Sequence, residues 1–412
     1  MRCMKKFKIA VAMSGGVDSS LAASLLVEGG HEVTGVYLDC WGEPGCGIDS
    51  NRKDAMRVGL KLGIKMKVLD FKKEYKKKVM DWFFEEVKKG RTPNPDVLCN
   101  KEIKFGLFLD WGMKNGFDKI ATGHFARIGE KLVNHSLSKN RRSLLQQQCR
   151  LDSRSIDSAE QKPSSIDLRK LFEKKINCVS LLQAKDKHKD QTYFLAMVER
   201  SKFEKVCFPI GGMLKSEVRR EAKKRGIHVW DKKSTSGICF IGHKISFEDL
   251  LKTRIKEHEG EVVDKKGRLI GKHKGHEFYT IGQRHGFEVR VKTNESKPLF
   301  VVSKNKDKNL LVVGEKGDLM RDEFMVQKFE VTNLEFLVRI RHGGDIRPLK
   351  SIKEIRSLND IHHSEIDKRQ KTFRVKLKEK VFGVAPGQVA VFYQKMEGCD
   401  PTVCLGGGVI EG

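Results

Sequence analysis

The chain has 412 residues, enough for two or three domains at roughly 150 residues each, which excludes a mini-protein stapled by disulfides. With 81 Lys and Arg against 54 Asp and Glu it carries +27, at 33% charged and 39% hydrophobic residues: a globular composition under a strongly positive field. That field attracts phosphates, nucleic acid or an anionic bilayer alike, but no run approaches the ~18 continuous apolar residues needed to cross a bilayer.

The first 70 residues alternate. FKIAVAM reads as a strand, followed by a glycine loop, a helix from Ser19 to Glu28, a strand in HEVTGVYLDCW, a helix near Lys53 to Leu62 and a strand in IKMKVLDF. Strand and helix in turn predict an α/β domain with a parallel sheet. The basic residues 1–8 run straight into the first strand and leave no room for a signal peptide, so the protein is expected in the cytoplasm. Its ten cysteines contain no CxxC pair and are expected as reduced thiols. FDKIATGHFAR predicts a further strand with Gly123 and His124 at its carboxyl end, where open α/β sheets collect ligands. Residues 134–175, rich in Ser, Gln, Arg and Lys, read as a mobile surface insertion. From Gly260 onward short β-like runs broken by Gly, Asp and Asn predict two small β modules, the last barrel-like. The expected domains are 1–250, 251–316 and 317–412.

Three segments carry chemistry. Residues 13–20, MSGGVDSS, follow a strand and lead into a helix. Glycines in tandem let several N–H groups and the helix N-terminus face one anion, while Ser14, Ser19 and Ser20 add hydroxyls. A plain glycine turn would explain a Gly-Gly pair alone; the strand-loop-helix context favours a phosphate cradle, and the spacing is neither GxxxxGK[ST] nor GxGxxG. In TPNPDVLCN, residues 92–100, two prolines are expected to bar a helix before Cys99, so that a rigid loop presents Asp96 and Cys99. Lysines nearby and a helix start favour the thiolate, although a buried structural cysteine fits equally well. In STSGICFIG, residues 234–242, small residues flank Cys239 and allow close approach of a partner or ligand. Cys239 with His243, or His273 with His276, brings metal to mind, but third and fourth ligands are missing at any recognisable spacing. No metal site is expected from the protein's side chains.

SGGVDSS resembles the PP-loop of ATP pyrophosphatases, which adenylate a substrate oxygen. Together with TPNPDVLCN, ATGHFAR, KDQTYFL, FPIGGMLKSEVR, SGICFIG, YTIGQRHG and APGQVAVFY, in that order along nearly the whole chain, it resembles the tRNA-specific 2-thiouridylase family. The chain departs from the family pattern in the insertion before KDQTYFL, in Thr192 where Ser is usual and in Phe125 where Tyr is common. The resemblance implies a PP-loop domain followed by a small β-rich domain and a C-terminal β-barrel. It implies ATP on Ala12, Met13, Ser14, Gly15, Gly16, Val17, Asp18 and Ser19, with Leu38 and Gly123 completing the nucleotide side, and Mg²⁺ on the phosphates. It implies that the wobble uridine of tRNA meets Asn94, Pro95 and Asp96, while His124, Lys189, Asp190, Gln191, Arg341, His342 and Gln388 match tRNA-contact positions. Cys99 is similar to the family's nucleophile and Cys239 to its persulfide carrier. Asp96 would serve as general acid/base or as an orienting hydrogen bond. Sulfur would come from a relay or cysteine desulfurase protein, and a monomer is expected. Arg339, Arg341, Arg347 and Lys350 are expected to grip the tRNA backbone. Three other readings stand beside this one: a PP-loop enzyme adenylating a small molecule, a tRNA-binding protein without catalysis, and an iron–sulfur cluster on Asp96, Cys99 and Cys239 in place of the persulfide.

Overall fold

The computed structural model describes residues 5–41, 48–129, 179–233, 246–290, 297–327, 336–355, 371–395 and 402–411; the insertion at 134–175 and Cys239 lie outside them. Strands β1 (Lys8–Ala12), β2 (Glu32–Asp39), β3 (Lys65–Asp70), β4 (Lys119–Ala121) and β7 (Val206–Cys207) form one sheet in the order β3-β2-β1-β4-β7. Every neighbouring pair is parallel, with Ile9 opposite both Val33 and Lys119. The inner strands are apolar because both faces are covered. Helix Val17–Glu28 covers one face through Leu21, Ala22 and Leu26, and stops where Gly30 takes φ +77°. Two long helical stretches, 72–88 and 95–114, cover the other with Phe83, Phe84, Phe105 and Phe108. Each such ring taken out of water contributes about 1.5–3 kcal/mol.

FDKIATGHFAR supplies the expected strand, with Gly123 and His124 just past its carboxyl end, and then starts a second one. β4 stops at Ala121, and residues 126–129 leave as β5 (Ala126–Gly129), which pairs antiparallel with β6 (Ser180–Gln183) in a different sheet. The break falls at Gly123, whose backbone passes so close to the N-terminus of the first helix that a Cβ would lie 2.5 Å from the Ser19 nitrogen. The insertion therefore connects two paired strands, Gly129 standing opposite Ser180.

β8 (Gly260–Val263), β9 (Leu269–His273), β10 (Glu288–Val289), β11 (Phe300–Asn305) and β12 (Leu310–Gly314) build the second sheet, ordered β10-β9-β8-β12-β11. The third contains β13 (Met320–Gln327), β14 (Leu337–Arg339), β15 (Arg347–Ile355), β16 (Thr372–Phe382), β17 (Val389–Gln394) and β18 (Val403–Glu411). Their order is β13-β16-β15-β14-β17-β18, and β18 pairs back onto β13, closing a six-stranded barrel around Val326, Phe373, Val375 and Phe392. The start of β18 pairs instead with β6, Cys404 opposite Leu181. Main-chain hydrogen bonds thus weld the barrel to the N-terminal α/β part. No helix among the described residues is long and apolar enough to cross a membrane.

Candidate active site

The chain leaves β1 at Ala12 and turns at once into the first helix. Gly15 takes φ +73°, and a Cβ there would sit 2.1 Å from the Asn51 carbonyl oxygen, so the loop requires glycine. Gly16 caps the helix without any side-chain bond, leaving the N-terminus open to an anion. The serines brace the turn: Ser19 Oγ accepts from the Ser14 N–H at 3.1 Å, and Ser20 Oγ donates to the Gly16 carbonyl at 2.8 Å. Above the loop opens a cleft of about 910 Å³, mouth included.

Ala12, Met13, Ser14, Asp18, Ser19, Leu38 and Gly123 line that cleft. Gly15 and Gly16 shape the loop, and Val17 is buried beneath it. His124 and Gln191, expected at tRNA-contact positions, line the same cleft. Burial, with Lys104 nearby, pushes His124 well below the usual histidine range, so its ring is neutral when it pairs with Thr122 Oγ1 at 2.7 Å. Gln191 Oε1 accepts the Phe125 N–H at 2.8 Å and fixes the turn that follows His124.

Sequence reasoning missed Tyr37, Asn51, Lys104 and Thr122 in the lining, and two lysines at the loop. Lys215 Nζ lies 2.5 Å from Asp18 Oδ1; Lys232 Nζ donates to the Gly15 carbonyl at 3.0 Å and pairs with Asp54 at 2.6 Å. Lys215 sits inside FPIGGMLKSEVR, but its partner is 197 residues away and no local pattern carries that distance. A glycine cradle and an uncapped helix N-terminus, with Lys104 in the lining and Lys215 and Lys232 bracing the loop through Asp18 and Asp54, make a donor set that fits a nucleotide triphosphate. Gly123→Ala drives its methyl into the Ser19 backbone at 2.5 Å, and the expected result is at least tenfold weaker ATP binding by calorimetry; unchanged affinity would show that the close approach does not shape the cradle.

The second segment departs from expectation. A helix begins at Pro95, before the cysteine: Pro95 occupies its first turn, where a missing N–H costs nothing, and Asn94 caps it, its Oδ1 accepting from Asp96 N at 3.1 Å. Cys99 is thus on a helix rather than a loop, 1% exposed in the core beneath Phe105 and its neighbours, with Asp96 half-buried one turn earlier. The same helical stretch delivers Lys104 to the nucleotide cleft.

The barrel holds this segment from outside. Thr92 N–H donates to the Pro386 carbonyl at 2.8 Å, and Gln388 Nε2 donates to the Thr92 carbonyl at 2.7 Å. Tyr193 OH donates to Gln388 Oε1 at 3.3 Å, and the Tyr193 ring lies 6.0 Å from that of His342, which also packs on Phe194 at 4.3 Å. Gln388 and His342 therefore share one seam with the Asn94–Cys99 segment. Lys189 is exposed on a turn, and Arg341 lies 5.8 Å from the Phe382 ring. Asp190 is 2% exposed: its carboxylate accepts from Ala184 N, Thr192 Oγ1, Gln183 Nε2 and, at 2.9 Å, Arg339 Nη1. Any contribution of Asp190 to a tRNA surface runs through the residues it holds. Arg339, expected on the tRNA backbone, is corrected by the same contact: it is 7% exposed and spends its charge on Asp190.

Fold and cleft together define a nucleotide-binding α/β domain with two appended β modules, the second a closed barrel. Residues 7–153 and 167–243 match the family model of the tRNA methyl transferase HUP domain, 248–315 that of the tRNA methyl transferase PRC-barrel domain, and 321–410 that of the aminomethyltransferase beta-barrel domain. The chain is 34% identical over 415 residues to the tRNA-specific 2-thiouridylase MnmA of Pediococcus pentosaceus, covering 98% of this chain and 95% of that one. It is 35% identical to tRNA-specific 2-thiouridylase MnmA 1 of Geobacillus kaustophilus, with 99% and 96% covered, and 34% identical to the Staphylococcus aureus protein of the same type over equal shares. The chain belongs to the tRNA-specific 2-thiouridylase family.

Proposed function

We propose that this protein catalyses ATP-dependent 2-thiolation of the wobble uridine of tRNA, as a monomer in the cytoplasm. The observation that carries the reading is the helical stretch 95–114, which bears Cys99 near its start and Lys104 in the nucleotide cleft. Cys99 and Lys104 lie five residues apart on one unbroken helical stretch, which ties the position of the thiol to the nucleotide cleft. The triphosphate rests on the glycine loop and helix N-terminus, with Lys104 in the cleft lining and Lys215 and Lys232 bracing the loop. Asp18, which lines the cleft beside Lys215, is the loop carboxylate that would hold Mg²⁺, and that ion would offset phosphate charge.

The uridine leaves the anticodon stack because its C2 oxygen is otherwise hidden, and Asn94, Pro95 and Asp96 receive it. That oxygen takes AMP, with loss of pyrophosphate, and becomes a good leaving group. Cys239 carries a persulfide from a donor protein. Either its terminal sulfur attacks C2, expelling AMP, and Cys99 then cleaves the S–S bond to release the thiocarbonyl, or Cys99 first liberates hydrosulfide, which attacks. Both routes leave a Cys99–Cys239 disulfide for an external reductant. Lys189 and Arg341 offer charge to the tRNA backbone. In tRNA hydrolysed from cells lacking the gene, nucleoside mass spectrometry is expected to find 2-thiouridine derivatives gone and their 2-oxo counterparts in their place; an unchanged nucleoside profile would refute the reading.

A further inference from the structure

The first β module, between the α/β part and the barrel, holds a cluster that the thiolation chemistry does not use. His258, His276 and Glu277 each aim one ligand atom at a common point, all three atoms within 4.8 Å of one another. His258 Nε2 lies 3.0 Å from Glu277 Oε2, and His276 Nδ1 lies 3.3 Å from the same oxygen. Ligands at ~2.0–2.1 Å around a tetrahedral ion stand roughly 3.3 Å apart, so two edges of such a polyhedron are already close to length. His276 is 4% exposed, and neither ring nitrogen makes a well-aligned hydrogen bond among the described residues, the Glu277 carboxylate and the Lys88 backbone being its polar neighbours. Whichever tautomer it adopts, one buried nitrogen is left with a lone pair and no donor, a cost that a cation between the ring and the carboxylate removes.

The backbone around the cluster is pinned. Asn309 Nδ2 donates to the carbonyl of His258 at 3.2 Å, while its Oδ1 accepts the His276 N–H at 3.1 Å, tying both histidine-bearing segments to one side chain. His258 N–H donates to the Lys274 carbonyl at 3.1 Å. Gly275, at φ +126°, lies where a Cβ would come within 3.1 Å of Glu277 Oε2 and 3.2 Å of His258 Nε2, so the glycine keeps the convergence point clear. Lys304, buried nearby, donates its ammonium to the Tyr279 carbonyl at 2.7 Å rather than to the cluster.

We propose that His258, His276 and Glu277 bind one divalent zinc-class ion, which staples the first β module beside the end of helix 72–88. Two imidazoles and one carboxylate suit a borderline metal and leave a fourth position for water. The ion sits next to the seam between modules, since a Cβ on Gly90 would lie 3.8 Å from the His276 ring. The chain's thiols also bind such ions, so the test compares variants of the full-length protein. Metal-stripped wild type titrated with ZnCl₂ is expected to take up one equivalent more than His258→Ala or Glu277→Gln, and that equivalent alone is expected to raise the thermal unfolding midpoint. Co²⁺ at the same site is expected to give visible d–d bands without the near-ultraviolet thiolate charge transfer. His258 is exposed, so its alanine variant keeps the fold in either case. Equal zinc stoichiometry in wild type and His258→Ala, or cobalt bands that persist in both variants, would overturn the proposal.

Discussion

Cys99→Ser is expected to abolish 2-thiouridine formation while ATP and tRNA still bind with wild-type affinity. The exchange replaces one atom, and Cys99 is not part of the cleft lining, so the nucleotide keeps its cradle. A serine hydroxyl cannot accept sulfur, form the mixed disulfide or resolve it, and the loss should reach at least roughly 10³-fold, about 4 kcal/mol of barrier. Because the position is 1% exposed, the new hydroxyl also costs about 1–3 kcal/mol unless it finds an acceptor, and a thermal melt separates that loss from the chemical one. The result distinguishes two accounts of the same fold. A protein that binds tRNA without catalysis predicts no activity to lose; a thiolase with another nucleophile predicts turnover within tenfold of wild type. Either outcome would remove Cys99 from the reaction.

The α/β half was legible because both signals that define it are local. Apolar runs alternate with helical stretches at the spacing of crossover units, and a glycine pair between a strand and a helix is a backbone requirement that Gly15 then displays in its φ angle. Seven of the ten residues that the family resemblance assigns to the nucleotide line the cleft: five come from the loop itself, and Leu38 and Gly123 are brought to it by the neighbouring strands β2 and β4. The misreadings share a different cause. The strand that leaves FDKIATGHFAR after His124 goes unread because the chain turns where Gly123 meets Ser19, a contact across 104 positions, and two prolines read as a helix barrier until the second proves to be the first residue of the helix that carries Cys99. Arg339 is charged, and charge predicts exposure; only the closing of the barrel onto β6 shows why it is buried. Lys215, Lys232 and the trio of His258, His276 and Glu277 depend on segments brought together by folding, which spacing along the chain does not encode.

Breaking the pair between Asp190 and Arg339 is expected to be among the most damaging changes outside the cleft, although neither side chain is in the cleft lining. Asp190 lies in the turn after β6, Arg339 ends β14 of the barrel, and their 2.9 Å contact has side-chain exposures of 0% and 9%. Around it, Thr192 Oγ1 donates to Asp190 and lies 3.1 Å from Tyr393 OH, while the Arg339 guanidinium rests 5.4 Å from the Tyr393 ring. The threonine that replaces the family's usual serine keeps the hydroxyl this network needs. Asp190→Asn or Arg339→Gln strands a buried charge, at about 3–5 kcal/mol, whereas the double variant leaves two neutral amides able to bond each other and should cost less than the sum. Thermal unfolding of the two single variants and the double one measures the coupling, and hydrogen exchange at β6 locates it. Since β6 leads into Asp190 and Gln388 of the same barrel braces Thr92 ahead of Cys99, the single variants should also lose thiolation through undocking, with ATP affinity retained by the loop. Single variants that melt within about 1 kcal/mol of wild type would mean that the β6–β18 strand pairing and the Thr92 contacts with Pro386 and Gln388 hold the barrel in place without this pair.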